Sequence, residues 1–280
     1  MSFRSLLVLL DGEAPCAVRS HLAARMAAAH ASHLIGLAPT GPLDFLPSLA
    51  GASHSIEEVD AARAGALDRA SRWTERFEQV CRAEGAASFE TVVREGEPLP
   101  IVLHEAHCAD LTVISQADTA SPSHRHDKRF VDHVLLHNAR PTLVVPAAGR
   151  FDRLGQNVLV AWDDSPGCAR ATADALPMLR AAQRVHLRVW CRPGEPAEAA
   201  IRRRAQTVQR WLTQHGVTVD AALETSTLPI GEAILVLATR LGVDVIVMGT
   251  YGHAHWTERI IGSTTRTALA RSTVPLLMSH

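Results

Sequence analysis

The chain carries one pattern twice. Asp110-Leu-Thr-Val-Ile-Ser115 is answered by Asp244-Val-Ile-Val-Met-Gly249, and Pro141-Thr-Leu-Val-Val145 by Pro275-Leu-Leu-Met-Ser279, both at a spacing of 134 residues with no gap between the anchors. Upstream, Leu7-Val-Leu-Leu-Asp11 answers Leu159-Val-Ala-Trp-Asp163 at a spacing of 152, so the first half holds about 18 additional residues. Two homologous halves constrain the fold tightly, because an architecture that suits one must suit the other. The 280 residues allow two domains of about 140, each large enough for its own core. We expect them at 1–149 and 150–280.

Within the second half, apolar runs alternate with helix-period segments. Strands are expected at Asn157 to Trp162, Val185 to Cys191, Val217 to Glu224, Val243 to Met248 and Val274 to Met278. Helices are expected at Gly167 to Arg180, Pro196 to His215, Pro229 to Leu241 and Ser263 to Ala270. The order β-α-β-α-β-α-β-α-β predicts a doubly wound α/β domain with a mostly parallel sheet and helices on both faces. The first half repeats it, with Pro42 to Ser55 as an inserted surface loop.

The fourth strand of the second half opens into Gly249-Thr-Tyr-Gly252, and nine residues later comes Gly262-Ser263-Thr264. Glycine permits positive φ and close backbone approach, and successive backbone N–H groups with Ser/Thr hydroxyls can cradle phosphate oxygens without a lysine. The second cluster would start a helix whose positive end favours anions. The same glycines would equally serve tight turns and a close helix contact. At the matching positions the first half has Ser115, Asp118, Lys128 and Arg129. All motif glycines are lost, and Asp118 would repel a phosphate unless Lys128 and Arg129 compensate. One competent nucleotide site is expected.

In doubly wound sheets the ends of the first and fourth strands converge on the ligand. Those ends are Asp163 and Gly249, with Ala161, Trp162 and Met248 beside them. The Asp163 carboxylate could bond a ribose hydroxyl or hold a phosphate-bridging metal. Asp163 and Ser165 could also cap the following helix, and the roles can coexist. Tyr251, His253 and His255 lie in the glycine loop, where they could flank a nucleotide or face solvent.

These features resemble the universal stress protein family in tandem form. Gly249, Gly252, Gly262 and Ser263 match its G-x2-G-x9-G-[ST] motif, and Asp163 matches its early aspartate. Val189 falls where the family packs a valine against adenine. The resemblance implies ATP or another adenine nucleotide as ligand, with Mg²⁺ left open. It also implies a five-stranded parallel sheet per domain and pairing through the last strands. The two halves would then form an internal pseudo-dimer, with Thr142 to Val145 and Val274 to Met278 pairing antiparallel; a further homodimer of whole chains stays open.

Other classes are constrained by composition. Lys128 is the only lysine, so no G-x4-G-K-[ST] loop exists and a P-loop NTPase is excluded. The net charge of −1 gives no global attraction to nucleic acid or acidic membranes. Five scattered cysteines without C-x-x-C spacing fit reduced thiols, and the run Leu6 to Leu10 is too short for a signal core or membrane span. A cytoplasmic location is expected. His124, His126, Asp127, His133 and His137 could assemble a metal site, although no glutamate follows His133 as a zinc protease requires. No recognisable nucleophile–base pair stands out, so a nucleotide-binding regulatory protein is the leading reading. A slow ATPase or related adenine-nucleotide enzyme, such as a nucleotide-dependent ligase, using Asp163, Asp164 or His253, and a nucleotide-free interaction module are the alternatives.

Overall fold

The structure is a computed structural model and describes residues 2–41, 55–118, 124–194, 198–250 and 262–280, with side chains 124–126 outside the description. The expected inserted loop lies outside it, apart from Ser55.

The first half runs β1 (Ser5–Leu9), α1 (Pro15–His30), β2 (His33–Pro39), α2 (Ile56–Ala83), β3 (Ser88–Arg94), α3 (Pro98–Ala106), β4 (Leu111–Ser115), α4 (His124–His137) and β5 (Thr142–Val145). The second runs β6 (Asn157–Trp162), α5 (Pro166–Asp174), α6 (Leu176–Ala181), β7 (Arg184–Cys191), α7 (Glu198–Gln214), β8 (Asp220–Thr225), α8 (Ile230–Leu241), β9 (Val245–Gly249), α9 (Ser263–Arg271) and β10 (Leu276–Ser279). The expected helix Gly167 to Arg180 is two helices meeting at Ala175. Pro177 explains the break: it has no N–H to donate, and its ring opposes the carbonyl four residues earlier.

The ten strands among the described residues form one sheet, ordered β3-β2-β1-β4-β5-β10-β9-β6-β7-β8. Neighbours are parallel except β5 and β10, which pair antiparallel with Leu276 opposite Val144, Leu277 opposite Leu143 and Met278 opposite Thr142. The strands at the centre of the sheet, such as β1, β4, β5, β6, β9 and β10, are buried on both faces and therefore read as continuous apolar runs, whereas the edge strands β3 and β8 are half-exposed. Along β6, Val158, Val160 and Trp162 join the core under α1, α2, α5, α6 and α7, while Leu159 and Ala161 face α3, α4, α8 and α9. Each core layer crosses from one half into the other.

The chain joining the halves is fastened by Arg25 of α1. Its guanidinium donates to Phe151 O at 3.0 Å, Asp152 Oδ1 at 2.9 Å and both carboxylate oxygens of Glu84 after α2. His21 meets the same carboxylate at 2.7 Å. Hydrogen bonding from Arg25, reinforced by His21, pulls the Glu84 carboxyl from its ordinary 4.5 down to about 2. A depressed carboxyl stabilises the fold fully above its unfolded value, and that contribution disappears as pH falls towards the folded one. Acid unfolding of the wild type is therefore expected to lose stability between about pH 4.5 and 2. Glu84→Gln should start less stable at pH 7 and lose less over that interval, as followed by urea midpoints.

Candidate functional site

The second half's sheet reverses direction of winding between β6 and β9, which neighbour each other at the centre of the order β10-β9-β6-β7-β8. A cleft of about 750 Å³ opens there, at the carboxyl ends of the strands. From the expected set, Ala161, Trp162 and Asp163 line it from the end of β6, Val189 from β7, and Met248 and Gly249 from the end of β9. Gly262, Ser263 and Thr264 line it from the start of α9. The helix begins at Ser263, so its unpaired N–H groups and positive dipole end sit at the cleft. Tyr251, Gly252 and His253 lie outside the described residues, as do His255 and Trp256.

Ser165 is not on the cleft wall. Its side chain is buried and accepts the Cys168 N–H at 3.1 Å, capping α5, whose first residue is Pro166. Asp163 Oδ1 in turn accepts the Ser165 N–H at 3.0 Å, fixing the turn out of β6. Capping and lining are thus divided between the two residues.

Gly249 is there for proximity. It lacks the left-handed φ that would demand glycine, and a Cβ on it would lie 2.5 Å from Cys168 N and 2.9 Å from the Gly167 carbonyl carbon. Gly262 has φ −59°. Neither position uses positive φ; at Gly249 the missing side chain lets the start of α5 rest on the end of β9, which is the close helix contact among the readings open from the sequence. Gly167 repeats the device, since its Cβ would stand 3.2 Å from Ser279 O. Two further bonds fasten the ends of the glycine loop. Thr250 donates its N–H to Ser279 O at 3.0 Å, and Thr265 Oγ1 donates to Thr250 O at 2.7 Å.

Burial pushes the Cys168 thiol up to about 12, so the sulfur behind the cleft stays protonated and donates to Ala161 O at 3.3 Å. The remaining lining is largely apolar, with Trp190, Ala200 and Ile201 from β7 and α7 and Ile230 and Ile234 from α8. These residues, with Arg204 and Thr265, line the cleft beyond those expected from the sequence, and so does Asp164, which the sequence offers only as a catalytic candidate. The i, i+4 spacing of Ile230 and Ile234, and the 200/201/204 spacing on α7, are the signals that could have found them.

The first half has a smaller crevice of about 270 Å³ at the equivalent place. Asp11, Glu13, Asp118 and Asp127 line it, and Lys128 and Arg129 do not. The compensating cation is instead Arg19 from α1, 1% exposed. Its guanidinium bonds Leu9 O at 2.6 Å and Ser115 Oγ at 2.9 Å, and pairs with Asp11 at 2.6 Å. At the 152-residue spacing its counterpart is Ala171. Burial, with the charges of Asp11, Asp127 and Asp118, raises the Glu13 carboxyl against the opposing pull of Arg19. Negative charge dominates this crevice.

His133 and His137 touch edge to face at 6.1 Å. Among the described residues no group of three His, Cys, Asp or Glu could hold a metal ion, and no helix is long and apolar enough to cross a membrane.

Fold and cleft together define a class: doubly wound α/β domains whose ligand site lies where the strand order reverses. Residues 155–280 match the model of the universal stress protein family. No curated protein matches the chain. Among solved structures, a universal stress protein from Archaeoglobus fulgidus DSM 4304 is similar over 99% of this chain and 96% of its own, at 17% identity and TM-score 0.75. A functionally unknown protein from Pseudomonas aeruginosa PAO1 covers 98% of this chain and 92% of its own, at 18% identity and TM-score 0.61. These two likenesses concern the fold over both halves.

Because its Cβ would strike backbone, Gly249→Ala should destabilise the protein by about 1–3 kcal/mol, the usual range for overpacking. Thermal or urea unfolding without any ligand should show the loss; a neutral result would return Gly249 to a purely ligand-facing role.

Proposed function

We propose that the chain is a tandem universal stress protein, with a first domain at 1–149 and a second at 150–280, that binds ATP or a related adenine nucleotide in the second domain only. The observation that carries this reading is the cleft at the strand ends, where the motif's Gly249, Gly262 and Ser263 meet Asp163 and Val189. Its chemistry suits a nucleotide. Val189 and the apolar wall behind it accept a base, Asp163 can accept from a ribose hydroxyl, and the start of α9 supplies N–H donors and a partial positive charge for phosphates. The Asp163 carboxylate is the oxygen ligand that a phosphate-bridging Mg²⁺ would use.

The first domain's crevice supports the asymmetry. Arg19 already fills the neighbourhood of Asp11 and Ser115, and the surrounding carboxylates oppose a phosphate. The antiparallel β5–β10 pairing supports an internal pseudo-dimer, in which each half covers the other's open sheet edge. The role is regulatory: occupancy of the cleft would alter the packing of α9 and thereby what the protein binds. The protein works in the cytoplasm.

Ser263→Asp separates binding from folding. A carboxylate in the first turn of a helix is favourable for the helix and unfavourable for an arriving phosphate. Calorimetric titration of ATP, with and without Mg²⁺, should show affinity reduced about tenfold or more, since a charged contact is typically worth 1.5–3 kcal/mol. The melting temperature without ligand should be unchanged or raised. Unaltered ATP affinity in this variant would count against phosphate binding at α9.

A further inference from the structure

The only cationic side chain among the described residues lining the cleft is Arg204, on α7. Its Nε donates to Asp164 Oδ1 at 2.6 Å. Among the described residues Asp164 is its one partner, so the two Nη groups have none there. A guanidinium held through Nε keeps its other donors for a second oxyanion, and the planar fork suits phosphate.

Asp164 is unusual in its own right. Its φ of 62° puts it in the left-handed region, where aspartate is one of the few side-chain-bearing residues commonly found. The pair links the β6–α5 connection to α7, and both of its residues line the cleft. The side chains of Arg204 and Asp164 are 54% and 46% exposed, and an ion pair so open to water contributes little to folding. A backbone outlier that gains little stability and fixes a cation at a cleft points to function.

Electrostatics point the same way. The α9 terminus offers a charge equivalent to only about half a proton. Asp163 and Asp164 line the same cleft, and a polyphosphate entering beside two carboxylates needs a compensating cation. We propose that Arg204 is a ligand-binding residue: its Nη groups take a phosphate of the bound nucleotide, while Asp164 acts as the positioning residue that holds the guanidinium at the mouth. This inference rests on the nucleotide reading of the cleft. It makes the site select by phosphate content, so Arg204 matters for ATP and not for adenosine.

The test is calorimetric titration of adenosine, AMP, ADP and ATP, at fixed ionic strength, into the full-length wild type, Arg204→Ala, Arg204→Lys and Asp164→Asn. Removing a charge-assisted contact in Arg204→Ala should weaken ATP about tenfold or more, and leave adenosine within about twofold. Arg204→Lys should recover part of the loss, because it restores the charge without the fork. Asp164→Asn keeps a carbonyl oxygen for Nε, removes a negative charge and should tighten ATP. Equal weakening of adenosine and ATP by Arg204→Ala would make Arg204 a packing residue and overturn the proposal, as would unchanged affinities throughout. A wild type that binds all four ligands alike would overturn the proposal alone. A wild type that binds none would overturn the nucleotide reading and this inference together.

Discussion

The antiparallel contact between β5 and β10 is the interaction on which the architecture turns. A five-stranded parallel sheet ending in β5 or β10 would expose a row of backbone donors and acceptors, a template for unwanted pairing. Joining the two edges satisfies them and merges two sheets into one. The pairing also aligns the faces, so that Leu143 and Leu277 bury together and each apolar layer continues through the junction. With that frame in place, the strand ends of the second half stand where a cleft can open, and helix α9 connects that cleft to the junction. Gln116, after β4, donates its side-chain amide to the Leu269 carbonyl near the end of α9. The helix that presents its start to the cleft is thus held at its other end by the opposite half.

Upon one frame, two crevices have diverged through few residues. In the second half, small side chains at Gly167, Ala171 and Gly249 let α5 settle against β9 and leave the strand ends open. In the first half, Arg19 takes the place of Ala171 and Ser115 that of Gly249, and the guanidinium fills the interior with its own bonds to Leu9, Ser115 and Asp11. A buried arginine is costly without partners, and these three satisfy it. The smaller crevice keeps a functional-looking aspartate at Asp11 while that aspartate pairs with Arg19.

Much of this frame was legible in the sequence because burial on both faces leaves its mark as continuous apolar runs; the fourth and fifth strands repeat at one spacing, and the β6 bounds Asn157 to Trp162 emerged as observed. The cleft was legible where strand ends and motif coincide. Local pattern could not tell why Gly249 is glycine, since a need for positive φ and a need for closeness both delete the same Cβ. It could not reveal Arg19 either, because one of the three partners that satisfy its buried guanidinium, Ser115, lies nearly a hundred residues away. Arg204 and Ile230 escaped because an amphipathic helix looks alike whether its inner face meets a core or a cleft. Pro177 was in plain view, and the break it makes in the α5–α6 region follows from its missing N–H.

The central claim is the asymmetry of two like domains, and the number of nucleotides bound per chain tests it most directly. Equilibrium dialysis of the intact protein with labelled ATP and Mg²⁺, carried to saturation, should give one ATP per chain. Two per chain would contradict the closing-down of the first crevice by Arg19 and its surrounding carboxylates, and none would contradict the reading of the second-half cleft as a nucleotide site.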